Sequence, residues 1–333
     1  MTTSIGPRTP TSPVTWVVGS GGLLGGAVSR ASVARIGDPL RTPRIHWSDP
    51  SMALAELRRS AVALLDGAER DGRPWQLAWC AGAGVTGSSR DDLAAEVGAL
   101  RVLLGAVAER LGRSPGLAEH GAVFVASSVG GVYGGTADPP FTEDHPVAPV
   151  SDYGRAKLDA ETVAVAFARQ SGVPTVIGRI TNLYGPGQNL DKPQGLISHL
   201  CKAHLTRSSV SVYVSLDTIR DYLFVDDAAA LVLDALDRVR RHPGESPDAD
   251  AVVKILGAHQ GVTIGALLGE FRRVFKRSPL VLVGGSELAR HQARDLRVRS
   301  IVWPELDARP LTCLPAGLAA TAEHLYRTVK GAG

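Results

Sequence analysis

Val14-Thr15-Trp16-Val17-Val18-Gly19-Ser20-Gly21-Gly22-Leu23-Leu24-Gly25-Gly26 is the stretch whose reading decides the fold. The apolar run Val14 to Val18 ends in glycines and reads as a buried strand. Residues 22–36 read as a helix closed by Gly37-Asp38-Pro39. Gly19-x-x-Gly22-x-x-Gly25 stands at the turn between them. Such a turn lets the backbone approach a pyrophosphate, which then sits on the helix N-terminus. Glycine is needed there because a Cβ would block the approach or the positive φ.

Working outward, Arg44 to Trp47 predicts a second strand and 51–69 a helix. Trp75 to Cys80 predicts a third strand running into Ala81-Gly82-Ala83-Gly84. A long amphipathic helix over 89–112, a fourth strand from Ala122 to Ala126, a helix over 152–171 and a fifth strand from Thr175 to Arg179 follow. Strands alternating with helices predict an α/β fold with a Rossmann-type, doubly wound, mostly parallel sheet. Beyond 185 the pattern changes. A polar loop over 186–194 precedes a helix (195–206), a strand (210–214) and a helix (226–241). An exposed linker (242–251), a strand (252–256), a helix (264–276) and a final helix near 315–329 complete the chain. The expected organisation is a tail over 1–13, a dinucleotide-binding domain over 14–185 and a smaller substrate-binding lobe over 186–333. Part of that lobe, about 210–240, is expected to return to the first domain.

The 333 residues are 44% hydrophobic and 21% charged, which excludes disorder for most of the chain. The net charge of +3 comes without a basic block or interleaved aromatics, so nucleic acid is not an expected partner. Cys80, Cys201 and Cys313 lie far apart and form no CxxC, which argues against a disulfide framework or zinc site. No histidine pair, His145 and His199 included, has metal-ligand spacing, so no metal is expected. The first thirteen residues are polar and Pro-rich, and no run approaches the roughly 18 apolar residues of a membrane span. The expectation is a soluble protein of the reducing cytoplasm.

Tyr153 and Lys157 form a Tyr-x-x-x-Lys on a predicted helix, where positions i and i+4 share one face. An ammonium beside a phenol favours phenolate, and such a pair can exchange a proton with a carbinol near neutral pH. Ser127 and Ser128 end the fourth strand, and a hydroxyl there reaches the cleft where ligands bind in open α/β sheets. Either serine can polarise a substrate oxygen or cap the next turn.

Taken together, the motifs resemble the extended short-chain dehydrogenase/reductase family, in its NAD(P)-dependent nucleotide-sugar epimerase/dehydratase branch. The glycine turn, Ser127-Ser128 with Val132-Tyr133-Gly134, Tyr153/Lys157, Arg179-Ile-Thr-Asn182-Leu-Tyr-Gly185 and Arg220-Asp221-Tyr222 through Asp227 occur in the family's order. The likeness covers about 14–240 well and the rest loosely. It implies Tyr153 as catalytic acid/base, and Lys157 as the residue that tunes it and binds the nicotinamide ribose. It implies Ser128 as the hydroxyl that holds the sugar oxygen, with Ser127 in reserve. Gly19, Ser20, Gly21, Gly22, Leu23, Leu24, Gly25, Trp47, Ser48, Ala81, Gly82 and Ala83 would line the cofactor. Asn182, Asn189 and Arg220 would contact the nucleotide-sugar, Arg220 as a phosphate partner. A homodimer through the helices at 89–112 and 152–171 is implied, with Leu100, Val102 and Leu103 available.

The chain departs from the family pattern in several places. Val129 stands at the usual catalytic Ser/Thr position. Val129-Gly130-Gly131 replaces the acid–acid pair of sugar 4,6-dehydratases, which speaks against dehydration. Glu96 stands where the family's helix has Asn, and the usual adenine motif is missing. No acid closes the second strand, where an NAD enzyme holds its ribose diol: Ser48 follows Trp47, and Asp49 comes one place late. Arg35, Arg41 and Arg44 are near enough in sequence to meet a 2′-phosphate, so NADP is slightly favoured over NAD. The expected reaction is hydride transfer at a sugar carbon, most often C4, by an epimerase or an NADPH-dependent ketoreductase. A non-catalytic dinucleotide-binding regulator is the reading from another class.

Overall fold

The computed structural model describes residues 12–36, 44–82, 84–85, 87–192, 194–242, 251–284 and 293–331. The chain runs β1 (Val14–Val18), α1 (Leu23–Ile36), α2 (Pro50–Asp71), β2 (Trp75–Trp79), α3 (Arg90–Leu111) and β3 (Gly121–Ser128). It continues as α4 (Val129–Val132), α5 (Asp152–Ser171), β4 (Thr175–Ile180), β5 (Asn182–Tyr184), α6 (Leu196–Thr206), β6 (Ser209–Val212) and β7 (Ile219–Phe224). The last elements are α7 (Val225–Arg241), β8 (Ala251–Leu256), β9 (Gly261–Thr263), α8 (Ile264–Phe275), β10 (Leu280–Val283), α9 (Pro304–Asp307) and α10 (Leu314–Gly331).

The main sheet has the order β1-β2-β3-β4-β8, and every pair in it is parallel. Its strands are near-continuous apolar runs because both faces are covered, as parallel sheets require. On one face Leu57 and Leu64 of α2, Leu100 and Leu103 of α3, and Phe167 of α5 pack on Trp16, Leu77, Val123 and Val125. On the other, Val28 of α1 and Leu231, Val232 and Leu236 of α7 pack on Val17, Ala78, Phe124 and Val176. Each fully buried Leu, Val or Phe contributes about 1.5–3 kcal/mol. Leu100 and Leu103 are therefore consumed inside the protomer and are not free for a subunit contact; Val102 is half-buried. A separate core of Tyr184, Leu200, Phe271 and Leu318 joins β5, α6, α8 and α10. Among the described residues, no helix is long and apolar enough to cross a membrane, and no metal-ligating cluster of three occurs.

One predicted strand is absent, while β5, β7, β9 and β10 have no counterpart in the sequence reading. Arg44 to Trp47 is not a strand. His46 gives its backbone N–H to Glu56 of α2 at 2.8 Å, and its ring Nδ1 meets the same carboxylate at 2.7 Å. Trp47 stands edge-on to Trp79, with ring centroids 6.2 Å apart. Asp49 caps α2 by accepting from the Met52 amide, and Pro50 takes the first helical position. The segment is thus used as the lead-in to α2. Among the described residues, no strand pairs with the outer edge of β1, and the sheet ends there. The expected closing turn Gly37-Asp38-Pro39, Arg41 and most of the linker at 242–251 lie outside the described residues.

Candidate active site

The carboxyl ends of β1 to β4 gather the candidate residues. Gly19 has φ +88, and a Cβ on it would lie 2.6 Å from the Ala81 backbone, so only glycine lets the first turn pack against the end of β2. A Cβ on Gly25 would collide with the Gly19 carbonyl. The Gly22 amide closes the turn onto that carbonyl at 2.9 Å. The side of Gly21 is open, with nothing within 4 Å of a Cβ placed there. The Leu23, Leu24 and Gly25 amides start α1, and no side-chain hydrogen bond caps them among the described residues. A helix N-terminus with free amides beside a glycine turn suits an anion. Ala81 is buried and Gly82 follows it at φ +153; Ala83 lies outside the described residues.

Ser151 caps α5 by accepting from the Gly154 amide at 3.1 Å. Gly154 abuts the Gly131 carbonyl so closely that a Cβ could not be placed between them. This contact draws the first turn of α5 onto α4. A Cβ on Gly131 would be 3.2 Å from Tyr153 Cε1 and 3.3 Å from Ser128 Cβ, so Tyr153 and Ser128 flank the same glycine. Lys157 Nζ lies 5.4 Å from the Tyr153 ring centroid. Burial works against the Lys157 ammonium, but Tyr153 and Glu96 outweigh it and hold the group above the ordinary lysine range.

The two serines have different surroundings. Ser128 accepts from the Gly131 amide at 3.2 Å, which leaves its hydroxyl proton available. Ser127 is buried and donates to Glu161 Oε1 at 2.5 Å. Glu161 also takes both arms of Arg179, at 3.0 and 2.7 Å, and Arg179 Nη1 reaches the Tyr133 hydroxyl at 2.6 Å. Ser127 is therefore part of a buried clamp, not a hydroxyl facing Tyr153. Sequence reading gave Glu161 no part; its i+4 spacing from Lys157 was the available signal.

Farther out, Asn182 is exposed and donates to the Asp221 carbonyl at 3.1 Å. Asn189 is exposed and accepts from the Asp191 amide, a local turn. Arg220 is buried, and its one hydrogen bond among the described residues goes to the neighbouring Ile219 carbonyl at 2.8 Å. Burial pushes its guanidinium below the ordinary arginine range. Asp295 is near, but Arg297 takes both of its carboxylate oxygens. Asp226 and Asp227, which follow at the start of α7, engage Arg30 and the Thr312 amide. Trp47 and Ser48, placed by the sequence at the end of a second strand, sit in the turn before α2. Arg35 is engaged by Asp234 at 2.7 Å and is not free for a 2′-phosphate. Arg44 is exposed.

A parallel sheet wrapped by helices, a glycine turn after its first strand and a Tyr–Lys pair at its carboxyl edge define a Rossmann-type protein of the extended short-chain dehydrogenase/reductase class. The chain belongs to the NAD dependent epimerase/dehydratase family, whose model matches residues 63–247. It is 33% identical over 105 residues to a dTDP-4-dehydro-6-deoxyglucose reductase of Escherichia coli, covering 32% of this chain and 33% of that protein. It is 33% identical over 114 residues to a putative UDP-glucose 4-epimerase of Methanocaldococcus jannaschii, covering 34% and 37%. These matches span only about a third of each relative's length. In fold it is similar to the UDP-glucose 4-epimerase of Thermotoga maritima, with a TM-score of 0.70 at 20% identity over 95% of this chain and 99% of that one. It is also similar to the UDP-N-acetylglucosamine 4-epimerase of Methanobrevibacter ruminantium, with a TM-score of 0.73 at 18% identity over 96% and 99%.

Proposed function

We propose that this protein moves a hydride at a carbon of a nucleotide-activated sugar, with Tyr153 as the acid/base. The observation that carries the reading is the meeting of Tyr153, Lys157 and Ser128 around Gly131, at the sheet edge that also bears the glycine turn. A nicotinamide dinucleotide, when bound, supplies the hydride donor and acceptor. The chain's residues fit such a group: the Gly19–Gly25 turn is closed tightly on its own backbone, the side of Gly21 is open, and α1 begins beside it at Leu23. Lys157 would hold the nicotinamide ribose. Tyr153 takes or returns the proton of the reacting sugar hydroxyl. Lys157 favours its phenolate, and Ser128 holds the sugar oxygen through its free proton. Arg220 meets a substrate phosphate, since among the described residues its buried guanidinium forms no ion pair and bonds only to the Ile219 carbonyl.

Of the two reaction outcomes, the released-cofactor ketoreductase is favoured by one observation. Among the described residues the carboxylates of this segment are already engaged, Glu56 by His46 and Asp49 by the Met52 amide, so neither is free for a ribose diol. The reductase of Escherichia coli among the relatives agrees with that outcome. The epimerase relatives support the alternative, in which the dinucleotide stays bound and the keto-sugar is reduced on its other face.

The test is to denature the purified full-length protein, identify any released dinucleotide by mass spectrometry, then titrate the stripped protein with NAD and NADPH. UDP- and dTDP-linked hexoses and their 4-keto forms are assayed in parallel. Retained NAD with interconversion of sugar epimers supports the epimerase. No retained dinucleotide, with NADPH consumed by keto-sugar, supports the ketoreductase. Dinucleotide binding without turnover of any of these sugars supports the non-catalytic dinucleotide-binding regulator, and failure to bind either dinucleotide overturns all three readings.

A further inference from the structure

Glu96 reaches from α3 into the site, although its sequence position alone assigned it no work. Its Oε1 lies 2.8 Å from Lys157 Nζ, and its Oε2 accepts the Gly84 amide at 3.1 Å. Both side chains are largely buried, at 11% and 17% exposure. The loop after β2 is shaped around this contact. A Cβ on Gly82 would stand 2.6 Å from Glu96 Oε1 and 3.3 Å from Lys157 Nζ, and one on Gly84 would stand 3.1 Å from Glu96 Oε2. Two glycines therefore make the room that the ion pair fills.

We propose that Glu96 is the positioning residue of this site: its carboxylate docks the Lys157 ammonium beside Tyr153 and keeps it charged. The inference rests on the roles given above to Tyr153 and Lys157, but its first measurement needs neither cofactor nor substrate. A buried amine without a counter-charge drifts toward its neutral form, and a neutral amine does nothing to favour a phenolate. Among the described residues, further ionisable groups on the elements that carry or flank Lys157 are committed elsewhere. On α5, Glu161 is held by Arg179 and Ser127, and Asp152 by Arg155 and Arg90. On α3, Asp92 is engaged with the Ser89 cap. Burial pushes the Cys80 thiol after β2 up to about 12, so it is neutral. Tyr153 and Glu96 are the groups that raise Lys157. Of these two, only Glu96 is available as a lasting counter-charge, because Tyr153 changes protonation as it works.

The chain has six lysines, so lysine-selective isotope labelling gives a side-chain NMR spectrum in which Lys157 is assigned by its loss in Lys157→Met. The full-length, ligand-free protein is titrated as wild type and as Glu96→Gln. Glutamine keeps the size of the side chain and can still accept from Gly84. Lys157 is expected to titrate about one pH unit lower or more in Glu96→Gln, a tenfold change in its proton affinity. The alkaline limb of turnover is expected to fall with it, with KM unchanged, and Glu96→Asp to recover part of both. A Lys157 midpoint within about 0.3 unit of wild type would overturn the proposal and reduce Glu96 to a loop support. So would an alkaline limb that stays in place while the Lys157 midpoint moves. If no reaction is found at all, the reading of Tyr153 fails, and the lysine titration still decides whether Glu96 holds Lys157.

Discussion

Glu161 and Arg179 meet in two hydrogen bonds, 3.0 and 2.7 Å long, with both side chains only 8% exposed. The pair joins α5 to β4, and Ser127 and Tyr133 bind it to β3 and to the segment after α4. Removing one partner of such a pair leaves a buried charge uncompensated, at a cost of about 3–5 kcal/mol. Arg179→Met is expected to lose that much stability in urea unfolding. The double variant Arg179→Met/Glu161→Leu is expected to lose distinctly less. Single-variant losses below about 1 kcal/mol would show that the clamp is not what holds these elements together.

The two serines separate cleanly by measurement. Ser128→Ala is expected to lower turnover at least about tenfold with little loss of stability, because Ser128 and Tyr153 flank Gly131 and the hydroxyl caps only a short turn. Ser127→Ala is expected to retain turnover and to lose about 1–3 kcal/mol, because a buried carboxylate oxygen loses its donor. Equal losses of turnover in the two variants would contradict this division.

Within the glycine turn, Gly25→Ala and Gly21→Ala differ in the space each Cβ meets. The Gly25 Cβ collides with backbone, which cannot swing aside, and about 1–3 kcal/mol of stability should go with it. The Gly21 Cβ meets nothing within 4 Å, so its unfolding midpoint should match wild type while dinucleotide affinity falls. The measurement is urea unfolding beside dinucleotide titration.

Arg220→Met is expected to raise the KM for the nucleotide-sugar about ten- to a hundredfold, the value of a charge-assisted contact of about 1.5–3 kcal/mol. The protein should fold as well as wild type, since among the described residues the guanidinium makes a single bond, to its neighbour's carbonyl. An unchanged KM would remove Arg220 from the substrate site.

Lys254 is fully buried on β8 and is held by Asp307, Ser300 and the Val302 carbonyl at 2.7–2.9 Å. Burial works against the Asp307 carboxylate, but His259 and Lys254 outweigh it and hold it below the usual range. A depressed carboxylate contributes stability above its unfolded value, near pH 4, and loses it as pH falls through the lower folded value. Asp307→Asn should therefore be much less stable than wild type at pH 7, and the gap should narrow below about pH 4. A gap that is the same at pH 7 and pH 3 would rule the pair out.

Local signals carried most of the fold. Ser151 and Gly172 bound α5, and Ser89 starts α3, each as a cap whose chemistry is visible in three or four residues. Arg44 to Trp47 failed as a strand because the competing signal, the Asp49-Pro50 start of α2, lay just beyond it, and the Glu56 that captures His46 is ten residues away. Ser127 and Ser128 are indistinguishable as letters. Only the placement of Glu161 across 34 residues separates them.

By itself the sequence determined the alternation of strands and helices, the glycine turn and the sharing of one helical face by Tyr153 and Lys157. Those depend on periodicity, capping and backbone freedom within a few residues. The tertiary structure alone decided that Arg44 to Trp47 leads into α2, that Ser127 serves the core, and that Glu96 stands against Lys157. The reason is burial. A charge removed from water must find its partner wherever packing has brought one, and Glu96 and Lys157 are 61 residues apart in the chain.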